Sequence, residues 1–487
     1  MPAGELLERV AQLIRDAAAA VDDDTRSQLE QFAARLREPP RVAVVGRVKA
    51  GKSTLVNAIL GQRVAPTNVS ECTKLVTWFR YGHPERLVVH LKNGTSHESQ
   101  LDPSGMLPEE LDTPIAEVAS LEAFLANDAL RWMTLIDTPG IGSVNRDRSA
   151  ATEELLASAK TTSWASRAAD AIVFVLNHSL LEDEKSAIEV FASGEGEQSA
   201  SAANALGVLS RADQLGDGSV DPWGLALELA NRYAGVFKDS VADVVPVIGL
   251  MAETAETASL TEVDARHLAT LAAMEPKAFD RLMWSADRFV SGEAPVPADR
   301  RERLLMLLDL YGIAKAVELV RAGSSGAGPL RRELSNLSRI GDLKRTLTLY
   351  FRDQDHVLKG RSVIEALERL VFNAAGPGLG GLRSGLEALR LDPLIHPIAE
   401  LEVWHDCCTG RVALGESWTE EMRLLFTPGP LAGRLGAPSD DPTVLRETAQ
   451  KAMGRWRSFM VTDATPAQAG VARVVLRSYQ LAWQAIP

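Results

Sequence analysis

The sequence predicts an α/β domain with a doubly wound, mainly parallel sheet of the phosphate-loop kind, followed by an extended α-helical bundle that takes in the N-terminal helix. Three observations carry this. The stretch GRVKAGKST (46–54) has the pattern G-x-x-x-x-G-K-[ST] and lies between a short apolar run and a helical one. From residue 41 to about 321, strand-like runs alternate with helical ones, as in a parallel doubly wound sheet. After GSSGAGP (323–329) the strand pattern stops and a heptad-like spacing begins.

Taken in order, residues 4–36 read as helix, because Leu6, Leu7, Val10, Leu13 and Ile14 recur at helical spacing and Leu29, Phe32 and Leu36 resume it. VDDDT (21–25) is either a break or a recap of the helix, and EPP (38–40) ends it. The buried-strand candidates are RVAVV (41–45), LVTWFRY (75–81), RLVVHL (86–91), RWMTLID (131–137), AIVFVLN (171–177), ALGVLS (205–210) and DVVPVIG (243–249). A hinge follows at 322–329. Residues 330–372 then keep leucines at heptad-like positions and predict a single helix of roughly 60 Å. Further helices are expected at about 394–426, 443–461 and 466–486, separated by Gly/Pro-rich stretches. The resulting division is an N-terminal helix (1–38), an α/β domain (39–321), the hinge, and a bundle (330–487).

Composition narrows the class. At 487 residues the chain is too long for one ordinary core. No apolar run approaches the ~18–20 residues of a membrane span, and the amphipathic, early-acidic N-terminus is unlike a signal peptide. Three cysteines, Cys72, Cys407 and Cys408, form neither a disulfide framework nor a zinc pattern. A cytoplasmic location is expected, with peripheral attachment at the inner face of the plasma membrane left open. The net charge of −13 argues against a nucleic-acid partner. Residues 331–487 hold 20 basic and 18 acidic side chains, which leaves 32 and 47 for residues 1–330. The acidic front and near-neutral back are suited to different partners.

The motifs assign the ligand. Gly46 and Gly51 let backbone N–H groups, including those of Ala50 and Thr54, curl around a β-phosphate at the positive end of a helix. Lys52 is placed to bridge β- and γ-phosphates, and the Ser53 hydroxyl to ligate Mg²⁺. The run RWMTLI ends in Asp137-Thr-Pro-Gly140. Asp137 is expected to reach the metal through a water, and the Gly140 N–H to sense the γ-phosphate. GVLSRADQL (207–215) stands where [NT]-K-x-D is expected, with Ser210, Arg211 and Asp213. The Asp213 carboxylate can accept from guanine N1 and N2, a donor pair adenine lacks, so GTP is the expected substrate. Gly249 and Leu250, after the last strand, are expected to lend N–H groups to guanine O6. Thr67, Thr73 and Thr77 compete for the switch role on Mg²⁺; Thr73 is favoured because it follows a polar stretch and precedes LVTWFRY.

GRVKAGKSTLVNAILG, APTNVSECTKLVTWFRYG, IDTPGIG and VLSRADQL, with a helix before them and a long bundle after, resemble the bacterial dynamin-like proteins, and among them the mycobacterial isoniazid-inducible group. The resemblance implies a large GTPase that hydrolyses GTP to GDP and phosphate with Mg²⁺, forms a homodimer across its nucleotide face and acts on membranes. It also implies that helix 4–36 packs with the C-terminal helices. The chain departs from the family in lacking an evident lipid-binding domain, GTPase effector signature or transmembrane hairpin. Ile141 stands where small GTPases carry a water-orienting glutamine. Lys49 stands where dynamins carry a serine that helps hold a monovalent cation, so Lys49 either supplies that charge covalently or shields phosphates non-specifically. Two readings of the whole protein stay open. One is a mechanoenzyme that remodels membrane; the other is a GTP-switched scaffold or regulatory hetero-partner of a larger dynamin-like protein. For lipid contact, the turn at 373–386, with Leu379, Leu382 and Leu386, is the candidate tip; the alternative is that these leucines cap the bundle core.

Overall fold

The computed structural model describes residues 4–66, 74–102, 104–108, 110–140, 169–178, 188, 204–215, 221–238, 240–373, 379–390, 392, 395–408, 411–427 and 429–486. Two helices open the chain, α1 (Gly4–Ala18) and α2 (Asp23–Arg37), and the Asp22 side chain caps the second by accepting from the Thr25 N–H. VDDDT is therefore a recap. The strands are β1 (Arg41–Gly46), β2 (Thr77–Tyr81), β3 (Arg86–Leu91), β4 (Ser96–Ser99), β5 (Val118–Leu125), β6 (Thr134–Asp137), β7 (Ala171–Leu176), β8 (Ala205–Leu209) and β9 (Val244–Pro246). They form one sheet in the order β4-β3-β5-β2-β6-β1-β7-β8-β9.

The half that carries the site is parallel throughout: β6, β1, β7, β8 and β9 run side by side in the same direction. Beyond β6 the sheet is mixed. β2 runs antiparallel to β6, β5 parallel to β2, and β3 and β4 continue antiparallel. Two of these strands are absent from the sequence expectation. β4 (SHES) has no apolar residue to signal it, and β5 (VASLEAFL) is built largely from Ala, Leu and Glu, which also suit a helix. Consecutive side chains of β1 point to opposite faces, so Val42 and Val44 enter one core while Ala43 and Val45 enter the other.

The segment after the linker differs from the single long helix expected. It comprises α10 (Ala327–Ser338), α11 (Ile340–Leu347), a π-helical turn (Thr348–Arg352) and α12 (Asp355–Asn373), numbered after α3 (Lys52–Leu60), α4 (Trp223–Val236), α5 (Gly249–Glu256), α6 (Glu262–Ala272), α7 (Pro276–Leu282), α8 (Ala286–Ser291) and α9 (Ala298–Arg321). Arg339 takes a left-handed conformation (φ 58°, ψ 21°) that ends α10. The reason is burial on two different partners. Leu330 and Leu334 pack with Met251, Leu304 and Leu308, whereas Ile340, Leu343, Leu347 and Phe351 pack with the sheet face of Val42 and Val44. One straight helix cannot serve both.

The remaining helices are α13 (Leu379–Arg390), α14 (His396–Cys408), α15 (Glu416–Phe426), α16 (Leu431–Leu435), α17 (Pro442–Thr462) and α18 (Pro466–Gln484). They divide between two cores. Leu6, Val10 and Ile14 of α1 pack with Val363 and Leu367 of α12 and with Leu382 and Leu386 of α13. Met422, Leu445, Trp456, Val475 and Tyr479 form the second, in which the Glu421 carboxylate accepts from Trp456 Nε1 and the Tyr479 hydroxyl. A cavity of about 480 Å³, lined by Val241, Asp243, Tyr350, Trp404, Arg423 and Phe426, separates this second core from the β9 flank of the sheet.

An ionic junction ties α2 to the sheet. The buried Arg35 guanidinium meets the buried Asp170 carboxylate, which also accepts from the Arg41 N–H at 2.7 Å. Lys359 of α12 donates to the Glu38 carbonyl at 2.9 Å and pairs with Asp355 at 2.7 Å.

Of the two readings of 373–386, the burial of the three leucines favours the core cap over the lipid-facing tip. Leu379, Leu382 and Leu386 are buried, at 5%, 0% and 5% exposure, against the N-terminal helix; residues 374–378 lie outside the described residues. Leu382→Ala should lower stability by about 2–5 kcal/mol, seen as a lower melting temperature. Its co-sedimentation with anionic vesicles should match the parent's. A parent-like melting curve with lost vesicle binding would restore the tip.

Candidate functional site

β1 delivers Gly46 to the start of the phosphate loop, and a Cβ there would lie 2.6 Å from the Val175 carbonyl oxygen of β7. Only glycine fits. Lys49 adopts φ 63° on the outer bend and is exposed, whereas Ala50 is buried. Gly51, at φ 95°, turns the chain into α3 and leaves the helix N-terminus open to an anion. Lys52 is 8% exposed and donates to the Arg47 carbonyl at 3.1 Å, so its ammonium lies along the inside of the loop. Burial pushes its pKa down, opposed by the charge of Asp137.

Asp137 ends β6, next to β1, and accepts from the Ser53 hydroxyl at 3.0 Å. The next residue, Thr138, donates its hydroxyl to the Val44 carbonyl at 2.8 Å. Gly140 approaches the loop so closely that a Cβ would lie 2.7 Å from Val48 Cα. The Ser210 hydroxyl donates to the Ala50 carbonyl at 2.7 Å, and Arg211, at φ 56°, donates to the Lys49 carbonyl at 2.7 Å. Asp213 follows on a 3₁₀ turn (Ala212–Gln214). Gly249 and Leu250 open α5, and a Cβ on Gly249 would lie 3.7 Å from Thr54 Cγ2.

The residues expected at the base and phosphate ends thus converge at the C-terminal ends of the parallel strands, where such sheets hold ligands. Thr77 lies within β2, in register with Asp137 of β6. Thr67, Thr73 and Ile141 lie outside the described residues.

A dynamin-family model matches residues 42–191. Over 445 residues the chain is 32% identical to the isoniazid-induced protein IniC of Mycobacterium tuberculosis, covering 89% of this chain and 87% of that protein. The chain belongs to the dynamin family. This dynamin-like chain is also 40% identical over 62 residues to the bacterial dynamin-like protein of Nostoc punctiforme, 13% of this chain and 9% of that one. An oligomerised bacterial dynamin pair of known structure aligns with 99% of this chain and 90% of its own at 13% identity, with a TM-score of 0.34. A superposition that loose carries no argument.

The family works with GTP and Mg²⁺, and the dynamin-like site has the oxygens for the metal. Asp137 Oδ1 is buried with no hydrogen-bond partner among the described residues, while Oδ2 takes the Ser53 hydroxyl. Burial pushes the Asp137 pKa up, countered first by Lys52 and then by Ser53. An under-satisfied buried carboxylate beside a hydroxyl suits a hard divalent cation.

Three residues near the site are absent from the sequence expectation. Asn57 and Glu253 hydrogen-bond to each other at 2.8 Å beneath the loop. Asp309 breaks α9 with φ 54°, ψ 177° and adds negative potential at Asp213. A polar residue inside the apolar run TLVNAILG was the available signal for Asn57; nothing local marks Asp309.

Burial, with Asp309 adding to it, pushes the Asp213 carboxyl from 3.8 up to about 6. A carboxyl raised on folding favours the folded state most below its unfolded pKa, and that contribution is lost as pH rises through the folded value. Nucleotide-free Asp213→Asn should therefore melt above the wild type at pH 7, and the gap should close as pH falls towards 4. Thermal denaturation across this range reads it; a gap that stays constant with pH refutes it.

Proposed function

We propose that this dynamin-like protein hydrolyses GTP to GDP and phosphate, and that association of two copies across their nucleotide faces moves the helical part against a membrane. The observation that supports this most directly is the convergence of Lys52, Ser53, Asp137, Gly140, Ser210 and Arg211 on one loop, with Asp213 two residues beyond Arg211. In this reading Lys52 and the loop N–H groups hold the β- and γ-phosphates, and the Asp213 carboxylate accepts from guanine N1 and N2. Ser53, with Asp137 through a water, would hold Mg²⁺, which supplies charge neutralisation on the phosphates. Thr73 remains the proposed switch ligand.

Lys49 bears on how charge is neutralised during hydrolysis. Its exposed side chain leaves a left-handed backbone whose carbonyl is already held by Arg211. The loop is thereby fixed while the ammonium stays free to reach a phosphate, which supports a built-in cation.

The burial of Leu379, Leu382 and Leu386 favours a second reading. With these leucines in a core, and no helix among the described residues long and apolar enough to cross a membrane, the protein would be a GTP-switched scaffold or regulatory hetero-partner of a larger dynamin-like protein. Vesicle co-sedimentation with and without a non-hydrolysable GTP analogue separates the two.

Asp213→Asn should shift nucleotide preference from guanosine to xanthosine, since an amide donates where the carboxylate only accepted. Competition binding measures this, and equal wild-type affinity for ATP and GTP would remove the guanine assignment. Exchanging potassium for sodium should leave wild-type turnover unchanged. Lys49→Ser should slow turnover about tenfold or more with little change in nucleotide affinity, because its charge acts mainly in the transition state. A potassium-dependent wild type contradicts the role given to Lys49.

A further inference from the structure

The two helices that open at the nucleotide are α3 and α5. Ser53 stands in the first turn of α3 and Gly249 in the first turn of α5. Asn57 and Glu253 each lie four residues further on, one helical turn, or about 6 Å, below the ligand-facing ends. There Asn57 Nδ2 donates to Glu253 Oε1 at 2.8 Å and to the Ala65 carbonyl at 2.9 Å. Asn57 Oδ1 accepts from the Val64 and Ala65 N–H groups at 3.0 and 2.9 Å. Glu253 also meets Arg63 Nε at 3.4 Å. Asn57 is fully buried and Glu253 is 4% exposed.

Such a contact is costly as mere packing. Burial pushes the Glu253 pKa up, and Asn57 and Arg63 only partly offset this. An apolar side chain of similar volume would join the helices without desolvating a carboxylate. What the polar pair adds is direction, because a hydrogen bond fixes distance and angle where an apolar contact lets helices slide.

We propose that Glu253 is a positioning residue for nucleotide binding: through Asn57 it holds the base end of α5 against the phosphate end of α3 and so sets the spacing of the two subsites. The proposal rests on the guanine-nucleotide reading above. A ligand that spans both subsites depends on their spacing. A ligand that occupies only the phosphate end does not.

Calorimetry on the full chain with Mg²⁺, using GDP as the spanning ligand and inorganic pyrophosphate as the phosphate-only one, tests it. Glu253→Ala should weaken GDP binding about tenfold or more, as loss of a buried hydrogen bond would. Pyrophosphate binding should change by less than about twofold. Glu253→Gln keeps the acceptor for Asn57 and should restore GDP affinity. If Glu253→Ala does not fold, Glu253→Met fills the same space without the acceptor and takes its place. GDP affinity unchanged in the Ala or Met variant overturns the proposal. So does an equal loss for both ligands, because that marks general damage. A wild type that binds ADP as well as GDP overturns the guanine reading instead, and is told apart from failure of the clamp by needing no variant.

Discussion

The phosphate loop keeps its shape because residues about 160 positions later grip its carbonyls. Ser210 takes the Ala50 oxygen and Arg211 the Lys49 oxygen, both at 2.7 Å. Those bonds hold the loop in the bend that opens α3 towards an anion, while the Ala50 N–H is spent within the loop on the Arg47 carbonyl at 3.2 Å. Both Lys49 and Arg211 pay for this with left-handed backbones that a non-glycine residue rarely adopts. The strained pair also explains why β8 must lie near β1, with β7 between them: the strand order carries the base motif to the loop. The sheet topology and the ligand site are one constraint.

A second tier stabilises the first. α5 begins beside the phosphate-loop residue Thr54, and several of its side chains serve other contacts. Thr254 donates its hydroxyl to the Leu307 carbonyl beside the break at Asp309. The Ile248 N–H, just before α5, donates to the Ser338 carbonyl at 3.1 Å, immediately before the break at Arg339. Each break in an otherwise regular helix thus lies close to a contact with the base-binding segment. Helix breaks free backbone carbonyls that must find donors, and here those donors come from α5 and the residue before it.

Much of this was legible before any coordinates. The seven predicted strands and the ordered motifs lie in apolar runs or in spacings tied to phosphate chemistry, and local signals of that kind survive in sequence. β5 was not legible, since Val118–Leu125 becomes a strand through its pairing with β2 and β3 rather than through propensity. The break at Arg339 was hidden for a related reason. Leu330 to Leu347 keep a helical period on both sides of it, and only the different partners of the two halves require the turn. Leu379, Leu382 and Leu386 fit either a lipid-facing tip or a core cap from sequence alone. Their apolarity was evident, but the helix that covers them lies more than 360 residues away in the chain.

The ionic junction and the phosphate loop lie at opposite ends of the same strands. Asp170 precedes β7 and Arg41 begins β1, whereas Gly46 and Asp137 end β1 and β6. The route along β1 is a rigid, fully paired strand with little freedom to transmit a displacement. A second route runs through side chains. Glu256 of α5 accepts from Ser335 and pairs with Lys344; from there the chain passes through the π-helical turn into α12, where Lys359 reaches the Glu38 carbonyl at the junction. This route contains the left-handed break at Arg339 and an irregular helical turn, both of which can change geometry without unpairing a strand. Residues 335–359 thus connect the contacts of α5 to those of the N-terminal helices by a route that leaves the sheet pairing intact.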